Sequence, residues 1–315
     1  MKTKLVFFLL FLTKIALAQD SESDIKYLDS LGNPATKETF FKYQIFKKVS
    51  SEPDNYTLST FNKKIQILSS FSYSDKDAIK FNGESIYYYA NGNKQSLITY
   101  VDNKPIGKSF TWYENGSLKE ESLYFDLPWN NSRYHKMVSY WNKKGEQTVT
   151  KGNGYIESID EFFEEKGNYK EGYKDGKWTG KATKYTFSYE ETYADGELIS
   201  GVSTEENGMK NEYTSLEIRP EPKKGMEHFY KFISKKFSPT DLAYKNKVKG
   251  KILLTFVVDK EGKISDIRVL KGLGYGLDEE AIRVLSIYDD WNPALQRGRR
   301  VRCSYQIPIS LDFSY

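Results

Sequence analysis

Cysteine is almost missing from this 315-residue chain. Cys303 stands alone, so no disulfide forms within the chain and no multi-cysteine metal site is available. It falls on the apolar side of an alternating stretch, where a buried, inert thiol is expected. Histidine is nearly as scarce: His135 and His228 are the only imidazoles that could act as bases or ligands. With 9 prolines there is no extended proline-rich rod. Past residue 18 no apolar run approaches the ~20 residues that a membrane-spanning helix needs. A large charge of one sign is absent as well: 47 Lys and Arg face 43 Asp and Glu, a net +4. That balance gives no broad nucleic-acid or membrane signal.

Catalytic constellations are equally thin. Gly272-Leu273-Gly274-Tyr275-Gly276 is glycine-rich, but it sits between a strand and a helix and reads as a loop. Adjacent carboxylates occur at Asp160-Glu161, Glu164-Glu165, Glu190-Glu191 and Asp289-Asp290. An acid–base pair must converge across a cleft, whereas neighbours on a strand point to opposite faces and those on loops are solvated. The expectation is a protein that is not an enzyme and needs no cofactor or metal.

Aromatic residues are what the chain has in abundance: 16%, with 25 Tyr. The two ends also differ in charge. From Arg219 onward, 19 Lys and Arg outnumber 12 Asp and Glu by seven. Without Lys2, Lys4 and Lys14 the total is +1, which leaves segment 19–218 at about −6. A basic C-terminal part could dock on the acidic part or steer toward acidic partners; a plain solvated surface is the blander reading.

The N-terminus has the parts of an export signal. Lys2 and Lys4 precede the apolar core Leu5–Leu12, and Ala16-Leu17-Ala18 is a small-x-small cleavage site before Gln19. Residues 1–18 are therefore expected to be a removed signal peptide. No cysteine follows to carry a lipid anchor. The mature chain is expected in the periplasm or cell envelope without its own membrane span.

From residue 83 the chain repeats itself. Gly83-Glu84-Ser85-Ile86-Tyr87-Tyr88-Tyr89-Ala90-Asn91-Gly92 returns 24 residues later as Gly107-Lys108-Ser109-Phe110-Thr111-Trp112-Tyr113-Glu114-Asn115-Gly116. Tyr140–Gly145, Lys174–Lys181 and Tyr193–Leu198 look like further copies. Each pairs an aromatic strand with an Asn-Gly or Asp-Gly turn and a second strand; Asn-Gly is expected to supply the positive φ of a tight hairpin. One hairpin is marginal alone, so the units must stack. Residues 26–215 are expected as one elongated array of antiparallel β-hairpins, irregular near 47–80 and 126–170. The pattern resembles the MORN-like repeats of bacterial envelope proteins, most clearly at Thr111–Glu121 and Gly172–Gly180. Exposed Tyr and Trp on such an array could meet a peptide, a glycan or lipid headgroups.

Residues 216–225 read as a linker, and 226–315 as a small α+β domain. Gly250–Asp259 is a strand rich in β-branched and aromatic residues, Asp259-Lys260-Glu261-Gly262 a turn, and Ile264–Leu270 an antiparallel second strand. A helix starts at Leu277, with Asp278 as its cap and a stripe of Leu277, Ala281, Leu285 and Tyr288. Trp291 follows the helix and is expected against the sheet. Val301–Phe313 alternates apolar and polar residues as a final strand. A short helical lead-in around Pro239–Lys245 precedes the first strand. This β-β-α-β order resembles the C-terminal domain of TonB-type energy transducers. The matching positions are Pro239, Gly250, Asp259 with Gly262, Val269-Leu270, Leu277–Ala281, Trp291 with Pro293-Ala294, Gly298 and Ile307-Pro308-Ile309.

The resemblance implies a partner bound by β-strand addition: the last strand pairs with an extended segment of an outer-membrane TonB-dependent transporter. Here the partner-binding edge would comprise Arg300, Arg302, Ser304 and Gln306, and pairing on the donor side would break at Pro308. The basic cluster Arg297–Arg302 reads as a plain solvated entrance to the last strand; if it binds anything, an acidic extended peptide suits it, and in an exported chain without flanking aromatics nucleic acid does not. Transducers of this type also carry an uncleaved N-terminal helix and a proline-rich spacer, neither of which is visible here. The alternative is a periplasmic scaffold or binding protein whose array binds cell-wall, lipid or protein partners without energy transduction.

Overall fold

The computed structural model describes residues 24–51, 54–74, 80–126, 135–160, 162–288 and 290–313. The expected signal peptide, 1–18, lies outside the described residues. The chain divides into two compact units, 1–147 and 148–315.

The first unit is a succession of antiparallel strands: β1 (Asp24–Leu28), β2 (Lys42–Ser51), β3 (Asp54–Asn62), β4 (Ile67–Tyr73), β5 (Phe81–Tyr88), β6 (Lys94–Val101), β7 (Lys104–Trp112), β8 (Leu118–Tyr124) and β9 (His135–Trp141). Each pairs with the next. In the stretch expected to be irregular near 47–80, β2, β3, β4 and β5 pair in sequence, with register shifts at Lys48/Ser50, Thr60/Phe61 and Phe71/Tyr73. Rings on neighbouring strands stack, as in Tyr43–Phe61 and Tyr73–Phe81, with centroids 5.2 Å and 4.8 Å apart.

Two kinds of loop occur among the described residues. One is a five-residue loop in which the fourth residue donates to the carbonyl of the first, as at Tyr89–Asn93, Tyr113–Ser117 and Asn142–Glu146. Only its glycine has positive φ (Gly92 89°, Gly116 86°, Gly145 82°). The glycine of each Asn-Gly pair thus supplies the expected positive φ, within a five-residue loop. Asn91 and Asn115 stay out of the left-handed region and instead accept the backbone N–H two residues on. The other kind is the two-residue hairpin with both φ positive, at Asp102-Asn103. The repeats are stitched side to side: the Tyr89 hydroxyl donates to the Trp112 carbonyl, and the Tyr113 hydroxyl to the Trp141 carbonyl, each at 2.8 Å.

The second unit takes in all but the first residue of β10 (Gln147–Thr150) and runs through β11 (Asn153–Ile159), β12 (Phe163–Lys170), β13 (Tyr173–Ala182), β14 (Phe187–Ala194), β15 (Glu197–Glu205) and β16 (Lys210–Tyr213), again each antiparallel to the next. Two-residue turns stand at Lys151-Gly152, Glu171-Gly172 and Asp195-Gly196. Asp175-Gly176, expected as a turn, lies inside β13 opposite a register shift in β12. Strand glycines have a packing role here. A methyl group on Gly167, Gly180 or Gly201 would overlap the Trp178, Tyr189 or Tyr213 ring, respectively.

The 216–225 stretch is itself paired. β17 (Glu217–Ile218) and β18 (Glu221–Pro222) add to two short strands near the C-terminus, β22 (Ala294–Gln296) and β21 (Trp291–Asn292) respectively. Next come α1 (Gly225–Lys236), α2 (Asp241–Lys245), β19 (Lys249–Val258), β20 (Ile264–Lys271), α3 (Leu277–Ser286), β23 (Arg299–Val301) and β24 (Cys303–Asp312). The sheet order is β20-β19-β24. One face of this sheet carries the core: Ile252, Leu254, Phe256, Val258, Ile307 and Ile309 pack with Phe229 and Ile233 of α1 and Leu277, Ala281, Val284 and Leu285 of α3. Trp291 is fully buried, 5.3 Å from Phe256 and 5.5 Å from Tyr305 between ring centroids, as expected.

Asp278 does not cap α3. Its carboxylate accepts the N–H groups of Leu273 and Gly274 and so ties down the glycine-rich loop, while the N-cap is Gly276 at φ 75°. The expected final strand over Val301–Phe313 is two strands. β23 forms a hairpin with β22, the chain breaks at Arg302, and β24 begins at Cys303.

Candidate partner-binding edge

β24 pairs along its whole length with β19, from Lys249 opposite Asp312 to Val258 opposite Cys303. Its other side carries no strand among the described residues. The register shows which backbone groups face that side. Phe313 donates its N–H to the Val248 carbonyl, so odd-numbered residues of β24 bond toward β19 and even-numbered ones bond away. The same parity turns the Pro308 carbonyl outward, where it accepts the Tyr230 hydroxyl at 3.3 Å. Ser304, Gln306 and Ser310 therefore present their N–H and C=O groups on the open side. Among the described residues, only the Ser304 carbonyl of these groups has a partner, the Cys303 thiol at 3.3 Å. Cys303 is half-buried rather than enclosed.

The four residues expected to form the edge are thus divided. Ser304 and Gln306 lie together on β24 with outward amides. Arg302 lies in the break before it, exposed and 2.6 Å from Asp266. Arg300 belongs to β23, paired opposite Leu295 in a separate sheet.

Beyond Pro308 the edge borders an open groove of about 450 Å³ between α1 and the end of β24. On the solvent face of the sheet, Lys251 lies opposite Ser310, and Arg268 and Gln306 both lie opposite Thr255. Neither Lys251 nor Arg268 forms an ion pair among the described residues.

The basic cluster before the edge holds the feature that sequence reasoning missed. Arg297 is not a solvated cation at the start of the last strand. Its side chain is 11% exposed, and its Nε donates to the fully buried Glu191 carboxylate at 2.8 Å. Glu191 also accepts the hydroxyls of Tyr213 at 2.7 Å and Tyr193 at 3.0 Å. The guanidinium stacks over Tyr189 at 3.9 Å, and Arg299 lies 3.3 Å from the Phe187 ring centre. Burial alone would push the Arg297 guanidinium down, but Glu191 beside it, with Tyr189 and Tyr213, offsets this and raises it. Burial raises the Tyr193 and Tyr213 hydroxyls too, and Glu191 adds to the effect. Glu190, its sequence neighbour, is exposed and pairs with Lys177 at 2.7 Å. A sequence signal existed: Phe187, Tyr189, Glu191 and Tyr193 share strand parity, so a carboxylate falls in a row of aromatic rings.

This cluster belongs wholly to the second unit. It fastens the β22–β23 hairpin to β14–β16, helped by the Ser203 hydroxyl donating to the Arg297 carbonyl at 2.7 Å. Gly298 rests on Asn211 and Glu212 of β16.

Residues 240–312 match the family model of the Gram-negative bacterial TonB protein C-terminal. The match runs from the start of α2 to the end of β24, so the open edge lies inside it and α1 and the hairpin array lie outside. Residues 240–312 are therefore a TonB-type C-terminal domain. No curated protein matches it. Among the described residues, no helix is long and apolar enough to cross a membrane.

Proposed function

We propose that the chain is a non-enzymatic protein of the cell envelope whose TonB-type domain takes up an extended segment of a partner by strand addition to β24. The observation that carries this reading is the free outward amide pair of Ser304 and Gln306 on a regular edge strand. Main-chain bonds supply affinity in such pairing, and alternate side chains supply selectivity. The family match supports an outer-membrane TonB-dependent transporter as that partner. Arg302, Lys251 and Arg268 favour an acidic segment. The hairpin array, which resembles MORN-like repeats, would carry the domain.

Proline tests this directly, because it deletes an outward N–H without touching the bonds to β19. Ser304→Pro or Gln306→Pro should stay folded and lose binding to an acidic extended peptide in titration calorimetry, whereas Ser304→Ala should bind nearly as the parent does. If both folded proline variants bind normally, the edge is not the site. The array would then be the binding surface of a scaffold, through exposed rings such as Tyr155 and Tyr185.

A further inference from the structure

The groove beyond Pro308 has no part in backbone pairing at Ser304 and Gln306. Its walls are apolar: Ile233 and Phe237 on one side, Leu311 and Phe313 on the other, with Pro239 at the end. No charged residue lines it. The outward N–H and C=O of Ser310 face into it and have no protein partner among the described residues. An unpaired amide in an apolar groove is matched by a ligand with backbone and an apolar side chain together. The groove also continues the edge. Tyr230 stands between the two, its hydroxyl donating to the outward carbonyl of Pro308, a residue with no N–H to complete a ladder pair.

Residues of an added strand alternate between the two faces of the sheet. On the core side they would meet the groove. On the solvent side they would meet small polar side chains, Ser304, Gln306 and Ser310, with the unpaired Lys251 behind Ser310. We propose that the groove is a side-chain subsite for the partner segment that pairs with β24, and that this segment alternates large apolar with acidic residues. The apolar ones enter between α1 and β24, and the acidic ones lie toward Lys251. This rests on strand addition at Ser304 and Gln306. It adds a specificity element that includes α1, which lies before the family match.

The test uses the full chain and two capped eight-residue peptides, one alternating leucine and glutamate, the other serine and glutamate. Both offer the same backbone and charge. The leucine peptide should bind roughly tenfold tighter or better, the worth of burying one large apolar side chain. Ser234 is exposed at the groove wall, so Ser234→Trp fills the groove without disturbing the core. It should erase the leucine advantage and leave the serine peptide unchanged, and Lys251→Glu should weaken both peptides. If Gln306→Pro abolishes binding while Ser234→Trp keeps the leucine preference, the groove proposal falls and edge pairing stands. If neither peptide binds the parent chain at millimolar concentration, both fall.

Discussion

Glu191 and Arg297 show how one residue's surroundings reverse its ordinary meaning. Each is common on protein surfaces, and both sit here among aromatic rings. Removing one partner of a buried pair leaves an uncompensated charge, so Arg297→Met should cost roughly 3–5 kcal/mol in denaturant unfolding. The double variant Glu191→Leu/Arg297→Met should recover most of that loss; a simple sum of the two single costs would mean that the residues do not act as a pair. The tyrosines beside them make an alkaline prediction. In the unfolded chain tyrosine ionises near 10. Burial raises Tyr189, Tyr193 and Tyr213 above that value, with Glu165 or Glu191 adding to it. Between the unfolded and folded values the unfolded state binds fewer protons, so stability should fall as pH rises above about 10. Replacing the three by Phe should flatten this limb in thermal melts at pH 9 and 11.

At the scale of the element, the five-residue loop explains why some repeats are visible in the sequence and one is hidden. Its fourth position needs positive φ, and glycine serves at 92, 116, 145 and 262. At Asn62–Gln66 that position is Ile65, a β-branched residue at φ 63° and 74% exposed. The loop keeps its shape because the Asn62 side chain accepts the N–H groups of Lys64 and Gln66. Without the Asn-Gly signature the segment looks irregular, although β3 and β4 are well paired. Ile65→Gly should relieve left-handed strain and raise stability by up to ~1 kcal/mol, read as a higher urea midpoint with an unchanged slope. A lower midpoint would show that Ile65 contributes packing the loop geometry does not reveal.

At the scale of the second unit, the C-terminal domain and the last strands of the array are joined in more ways than by the chain passing between them. β17 and β18 are bonded into the domain, and Arg297 is bonded into the array. Trypsin recognises Lys223 and Lys224, both beside these short strands. Cleavage there needs local opening, so the native chain should resist brief trypsin treatment at these sites. Arg297→Met should make the cuts appear at the same protease dose, followed by gel electrophoresis and mass spectrometry. Equal cutting in both proteins would mean that the short strands hold the connection without the arginine.

Local chemistry determined a large part of this protein. Period-two alternation marked the strands, glycine and asparagine marked most turns, and the stripe Leu277, Ala281, Leu285 and Tyr288 marked α3 with its buried face. Those signals are carried by residues close in sequence, where sterics and parity act directly. Partnerships at long range were decided by the tertiary structure alone. Glu191 and Arg297 are far apart in the chain, and only folding brings the carboxylate under the guanidinium. The break at Arg302 puts Arg300 in one sheet and Ser304 and Gln306 in another, because β23 pairs with β22 while β24 pairs with β19. The outward direction of the Ser304 and Gln306 amides likewise depends on register with β19, since alternation in one strand assigns side-chain faces but not which neighbour its amides meet.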